Sequence, residues 1–258
     1  MKLSIARLPA FLRGLLAFAG AAVAFAQEAP VEVSPTNHLD RESKDLGGKL
    51  DFMLQEVQLL KTKLVLQSFR EQYGDRIKVR RVLYPTLEPE RESIPGYVFT
   101  PKDQVPGKKY PALVMVHGGN HTQMSDDWFV LIEEAVRRGY VVLYPEYRGS
   151  SGHGETIYND NYGVWDLADV RAAGAFFAGQ EFVDATRLGI LGHSRGGMLT
   201  VRTLEEDPKR FKAAVDVAGL KDMVAFMSYK TDARRKLIAD DPHYGGKLPN
   251  QNLAAYID

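Results

Sequence analysis

No cysteine occurs among the 258 residues. Disulfides are therefore excluded, and the fold has to be held together by a packed core. Cysteine-based metal sites go with them, and the six histidines are too scattered to form a metal-ligand cluster. No metal and no cofactor is implied. Net charge is lacking too: 33 Lys and Arg balance 33 Asp and Glu, with no dense basic stripe, which argues against nucleic acid as a partner. There is no internal repeat, no low-complexity block and no phosphate-loop pattern, so nucleotide binding is not expected. Beyond the N-terminal segment no run is long and apolar enough to cross a membrane. The oligomeric state is left open.

What the sequence does have begins at its N-terminus. Residues 1–26 carry Lys2, Arg7 and Arg13, then an apolar stretch from Gly14 to Phe25, then Ala24-Phe25-Ala26. A charged start, a short apolar centre and a small-x-small end are the pattern of a secretory signal peptide, cleaved before Gln27. The apolar stretch is too short for a comfortable membrane span. The expected location is secreted or periplasmic. Residues 27–75 read as a polar lead followed by an amphipathic helix. Leu50, Met53, Val57, Leu60 and Leu64 recur at helical spacing, and Gly74 suits a C-terminal cap. The helix is expected to pack on the domain, and a partner-binding coil is the alternative.

Residues 76–258 alternate strand and helix signals. "IKVRRVLYP" and "GYVFTP" are β-rich, with no helix between them, and read as an antiparallel lead-in. "YPALVMVHGG", "YVVLYPEYRG", "RLGILG" and "FKAAVDVAG" are near-continuous apolar runs, the mark of strands buried on both faces. Between them "DDWFVLIEEAVRRG", with acids first and arginines last, suits the helix dipole. "GVWDLADVRAAGAFFAGQ" is helical with Trp165, Val170 and Phe177 inward, and "GGMLTVRTLEEDP" is a helix ended by Pro208. The fold class is therefore α/β: a mainly parallel sheet covered by helices on both faces.

Within that frame, "GHSRGG" sits between the strand "RLGIL" and the helix "MLTVRTL". Strand, sharp turn and helix in this order are what a nucleophile elbow requires. The turn strains the serine backbone, glycine at 192 and 196 relieves the crowding, and Gly197 lets the helix approach the sheet. Ser194 is the candidate nucleophile. An acyl-transfer site also needs two preorganised donors for the oxyanion. The backbone N–H of Arg195 is one candidate. The "VMVHGGNH" loop supplies the other, for which Gly119 is favoured. His117 is read as a structural residue holding that loop, Arg148 as an ion-pair partner and His153 as a solvated loop residue.

"HGGN" after a strand, then "YRGSSGHG", "DLADV" opening a helix, and "GILGHSRGGMLT" together resemble the prolyl oligopeptidase family of α/β-hydrolases, over residues 77–245. The resemblance implies a serine hydrolase acting on peptide or ester acyl bonds. It carries Ser194 over as nucleophile and Arg195 and Gly119 as backbone oxyanion donors. It also implies an Asp and then a His downstream of the serine, each after a further strand. Here "LKDMVAFMSYKTDARRKLIADDPHYGGKLPNQNLAAYID" reads as helices and loop. The expectation is a partial α/β-hydrolase domain lacking the last strands and cut before the triad acid and base. An internal Asp216–His243 pair is the remaining candidate, although His243 lies in the turn-like "DDPHYGG". His193 is adjacent to Ser194 and points the wrong way for a base. A carboxylesterase of the same fold, or a non-catalytic hydrolase-like binding protein, are the alternatives.

Overall fold

The computed structural model describes residues 46–86 and 92–257. The expected signal peptide, its cleavage site and nearly all of the polar lead lie outside the described residues. The chain divides into two compact units, residues 1–56 and 57–258. The described part of the first is the opening of helix α1 (Leu46–Tyr73), and the second holds the sheet.

Six strands make that sheet: β1 (Ile77–Pro85), β2 (Ser93–Pro101), β3 (Tyr110–Val116), β4 (Val141–Pro145), β5 (Val183–His193) and β6 (Ala213–Val217). Their spatial order is β1-β2-β4-β3-β5-β6. β1 pairs antiparallel with β2, and β2 with β4. β4, β3, β5 and β6 are mutually parallel. The antiparallel lead-in and the parallel body are those read from the sequence. After β3 the chain steps to β4 on one side and returns to β5 on the other. The loops that leave β3 and β5 therefore emerge side by side at the carboxyl edge, where open α/β sheets place their sites.

The strands are apolar throughout because both faces are covered. Alternate residues point to opposite sides. Val98, Leu143 and Ile190 join Val170 and Phe177 of α4 (Trp165–Ala178) on one face. Phe99, Val142 and Tyr144 join Ile132 of α2 (Phe129–Arg137) and Phe69 of α1 on the other. Trp165 is only half-buried, its ring lying against Arg148 (5.1 Å). Downstream come α5 (Arg195–Glu206), which follows β5, and the short helices α6 (Met223–Ser228), α7 (Asp232–Ala239) and α8 (Ala254–Ile257). A further short helix, α3 (Glu155–Tyr158), lies in the loop after β4. β6 forms one edge of the sheet, with Val215 and Val217 exposed.

Helix α1 does not pack through its apolar row. Leu50, Met53, Val57, Leu60 and Leu64 of α1 are all exposed. The helix docks through a different face, on which Thr62, Leu66 and Phe69 are buried. The reason is local chemistry. Gln123 Nε2 donates to Thr62 Oγ1 (2.7 Å) and to Gln58 O (3.2 Å), and Ser151 Oγ donates to Gln123 Oε1 (3.1 Å). Two loops leaving the sheet thus present polar groups that only the Gln58–Thr62 side of the helix satisfies.

Candidate active site

Ser194 falls between the last residue of β5 and the first of α5. Its backbone is at φ 56°, ψ −117°, a region that L-residues rarely enter. Its N–H donates to Val217 O (2.8 Å), and its carbonyl accepts from Met198 N–H (3.1 Å), the first bond of α5. The turn is crowded. A Cβ on Gly192 would lie 2.0 Å from Gly196 O, and one on Gly196 would lie 2.1 Å from Val116 O. Glycine at both positions is a steric requirement of bringing α5 against the ends of β3 and β5.

The loop after β3 meets this turn directly. A Cβ on Gly118 would lie 2.9 Å from Ser194 Cβ and 2.7 Å from His193 O. Gly119 follows at φ 81°. Thr122 Oγ1 donates to Gly118 O, and Asn120 Oδ1 accepts from Arg195 Nη1 (2.6 Å). Ser194, Arg195 and the Gly118–Gly119 turn are thereby brought together.

His117 is buried at the root of that loop. Its ring stacks on Tyr147 (4.4 Å), its Nε2 lies 3.0 Å from Ser150 Oγ, and Tyr147 Oη donates to its carbonyl (2.7 Å). These contacts match the structural role expected of it. Arg148 is likewise a structural partner: Nε and Nη2 reach the two oxygens of Asp169 at 3.0 and 2.9 Å, fully buried. His153 differs from expectation. Its side chain is buried, with Nε2 3.6 Å from Glu146 Oε2, and His117 Nε2 lies 3.5 Å from the same oxygen. A fully buried carboxylate draws both imidazoles inward. Burial alone would raise the Glu146 carboxyl, but His117 and His153 outweigh it and hold it down at about 2.

The side chain of Arg195, for which the sequence suggested only a backbone role, is the largest fully buried one among the described residues. Its Nε and Nη2 donate to Asp166 Oδ2 (2.9 and 2.6 Å), and Nη2 also donates to Asp160. The guanidinium lies 4.3 Å over the Tyr162 ring. One cation faces two carboxylates, so a negative charge is left over in a dry site. Burial accordingly pushes Asp160 up to about 7, against the pull of Arg195.

The internal Asp216–His243 pair is not assembled. Asp216 Oδ1 accepts from Gly219 N–H (2.8 Å) and Oδ2 pairs with Lys221 (2.7 Å). Asp216 lies where a Cβ on Gly197 would reach to 2.3 Å, so it seals the turn after β6 against α5. His243 Nε2 lies 2.9 Å from Ala255 O, 12 residues along the chain. His193 is exposed, with Nδ1 against Gly118. Among the described residues, no group of His, Asp and Glu has metal-binding geometry, and no histidine hydrogen-bonds Ser194. A groove of about 710 Å³ lies between α5, α6 and α8, lined by Met198, Arg202, Leu220, Met223 and Tyr256; Ser194 is not part of it.

Comparison with known proteins follows the same lines. A family model, Peptidase_S9, the prolyl oligopeptidase family, matches residues 128–256. That span contains the Ser194 turn and begins after the Gly118–Gly119 loop. A probable dipeptidyl-aminopeptidase B of Aspergillus fumigatus is 31% identical over 180 residues, covering 62% of this chain and 20% of its own. The acylamino-acid-releasing enzyme of Homo sapiens is 30% identical over 143 residues, covering 52% and 20%. Among solved structures, a puromycin-hydrolyzing peptidase of Mycobacterium tuberculosis superposes with a TM-score of 0.56 at 27% identity, over 64% of this chain and 26% of that one. The chain spans about a fifth of the length of the curated relatives it matches.

Proposed function

Because this chain belongs to the prolyl oligopeptidase family, we propose that it is the α/β-hydrolase core of a serine peptidase, with Ser194 as the nucleophile that forms the acyl intermediate. The observation that carries the reading is the strained Ser194 backbone at a strand-to-helix turn, packed against the Gly118–Gly119 loop. In this reading Ser194 Oγ attacks the scissile carbonyl and gives up its proton, which the departing amine takes. The tetrahedral oxyanion accepts from the backbone N–H groups of Arg195 and Gly119. The positive end of the α5 dipole lies beside it. Collapse of the intermediate expels the amine and leaves an ester on Ser194, which water then hydrolyses. The substrate is a peptide; an ester would pass through the same intermediate. The reading includes export, with residues 1–26 removed.

A second reading is supported by one specific observation: no described histidine hydrogen-bonds Ser194. Without a base the serine hydroxyl stays protonated near neutral pH, and loss of a triad member costs about 10⁴-fold or more. On this reading the chain is a hydrolase-like binding protein with little turnover. A fluorophosphonate probe, a chromogenic ester and an aminoacyl amide, each tested on the protein and its Ser194→Ala variant, separate the two. Serine-dependent labelling with amide turnover supports the peptidase. Turnover of the ester alone supports an esterase. Absence of all three overturns both enzyme readings.

A further inference from the structure

Helix α1 has two opposed faces. Gln58, Thr62, Leu66 and Phe69 belong to the face that docks on the sheet and its loops. The opposite face is apolar and exposed. Leu46, Leu50 and Met53 are 42–52% exposed, and further along the same uninterrupted helix Val57, Leu60 and Leu64 are 55–64% exposed. Successive members are four, three, four, three and four residues apart, the alternation of d and a positions in a heptad repeat. At about 100° per residue Val57, Leu60 and Leu64 lie on the side of the helix opposite Thr62, Leu66 and Phe69, and the heptad spacing runs on through Leu46, Leu50 and Met53. Monomers rarely leave so long an apolar row in water.

We propose that this row is a self-association surface, and that two copies of the chain pair through α1 as a short, parallel, two-stranded coiled coil. The flanking charges select the occupant and its direction. In the parallel arrangement Glu56, at a g position, faces Lys61 of the second copy at the following e position, and symmetry makes two such pairs. Lys49 and Lys63 then face Leu54 and Ser68 of the second copy, so no like charges meet. The antiparallel arrangement with the same six layers sets Glu56 against Glu56 and Lys49 against Lys63, so every charged pair it forms is repulsive. Gln67 occupies the next d position and ends the seam. Because the seam lies opposite the docked face, pairing carries the two sheets outward and apart. The helix is already ordered by its docked side, so pairing does not have to nucleate it.

Sedimentation equilibrium of the full chain tests this. Wild type is expected at twice the single-chain mass and Leu60→Glu at the single-chain mass, with unchanged circular dichroism. Lys61→Glu should weaken the dimer roughly tenfold, since two attractive pairs become repulsive, and Glu56→Lys with Lys61→Glu should restore it. These surface changes keep the test decisive should Leu60→Glu fail to fold. In this cysteine-free chain, Val57→Cys should cross-link the two copies under mild oxidation, as only a parallel register sets residue 57 against itself. A monomeric wild type overturns the proposal, even one that binds phosphatidylglycerol vesicles, for the row would then be a membrane-surface element. A dimer indifferent to Lys61→Glu and not cross-linked through Val57→Cys overturns it as well.

Discussion

Arg195 Nη1 donates to Asn120 Oδ1 at 2.6 Å, so the residue after the elbow serine holds the loop that carries Gly118 and Gly119. The same guanidinium binds Asp160, in the segment before α4, and Asp166, in the first turn of α4. Arg195 is thus the point where three segments meet. Replacing it by Met would leave two buried carboxylates without a cation. We expect Arg195→Met to destabilise the protein by about 3–5 kcal/mol in urea unfolding. Asp160→Asn in the same chain should recover part of that loss. A cost below about 1 kcal/mol, the level of an exposed pair, would show that the cluster is not buried in solution.

Asp160 sets a pH dependence of definite sign. Its carboxyl is pushed up to about 7 by burial, whereas an unfolded aspartate titrates near ~3.9. Between those values the folded state binds more protons than the unfolded state, so stability falls as pH rises through that window. Asp160→Asn removes this slope. Unfolding free energies measured from pH 4 to pH 8 should therefore move steadily in favour of the variant as pH rises. A constant difference, or one that grows in favour of the wild type, contradicts the assignment.

Much of this was legible in the sequence, for local reasons. The strands were readable because burial on both faces demands continuous apolar runs. The elbow was readable because the close approach of β5 and α5 leaves glycine alone at 192 and 196. The face of α1 was not. Periodicity identifies an apolar stripe but not which side of the helix is covered, and here the docking groups are Gln58 and Thr62, which a hydrophobicity pattern passes over. His153 was misjudged because its burial is set by Glu146, beyond a Gly-rich loop. The side chain of Arg195 was overlooked because Asp160 and Asp166 lie 35 and 29 residues earlier in the chain. Only the fold brings them to it.

Glu146 should control acid stability. His117 and His153 hold its carboxyl at about 2, below the ordinary glutamate value, despite burial. The folded state therefore favours the ionised form, and the stability this contributes is present above the unfolded pKa of ~4.3 and is lost as pH falls towards 2. The wild type should lose on the order of 3 kcal/mol across that window. Glu146→Gln should be less stable at pH 7 and show a shallower slope below pH 5. Acid titrations followed by tryptophan fluorescence give both curves. Parallel curves would mean that Glu146 is neutral in the folded protein.

The backbone of Ser194 supplies the last prediction, through a contrast between two variants. At φ 56°, ψ −117° any residue with a Cβ is strained, by roughly 1–3 kcal/mol. Ser194→Ala keeps the Cβ and hence the strain, so its stability should stay within about 0.5 kcal/mol of wild type. Ser194→Gly removes the strain, while its more flexible unfolded chain costs about 0.5–1 kcal/mol. The net expectation is a glycine variant more stable than the alanine variant by on the order of 1 kcal/mol. Denaturant midpoints at equal m-values measure this directly. Both variants should lose fluorophosphonate labelling, because both lack the hydroxyl. Equal stability of the two, or a glycine variant weaker than alanine, would mean that the serine sits in relaxed geometry, and the case for a strained nucleophile elbow at position 194 would fail.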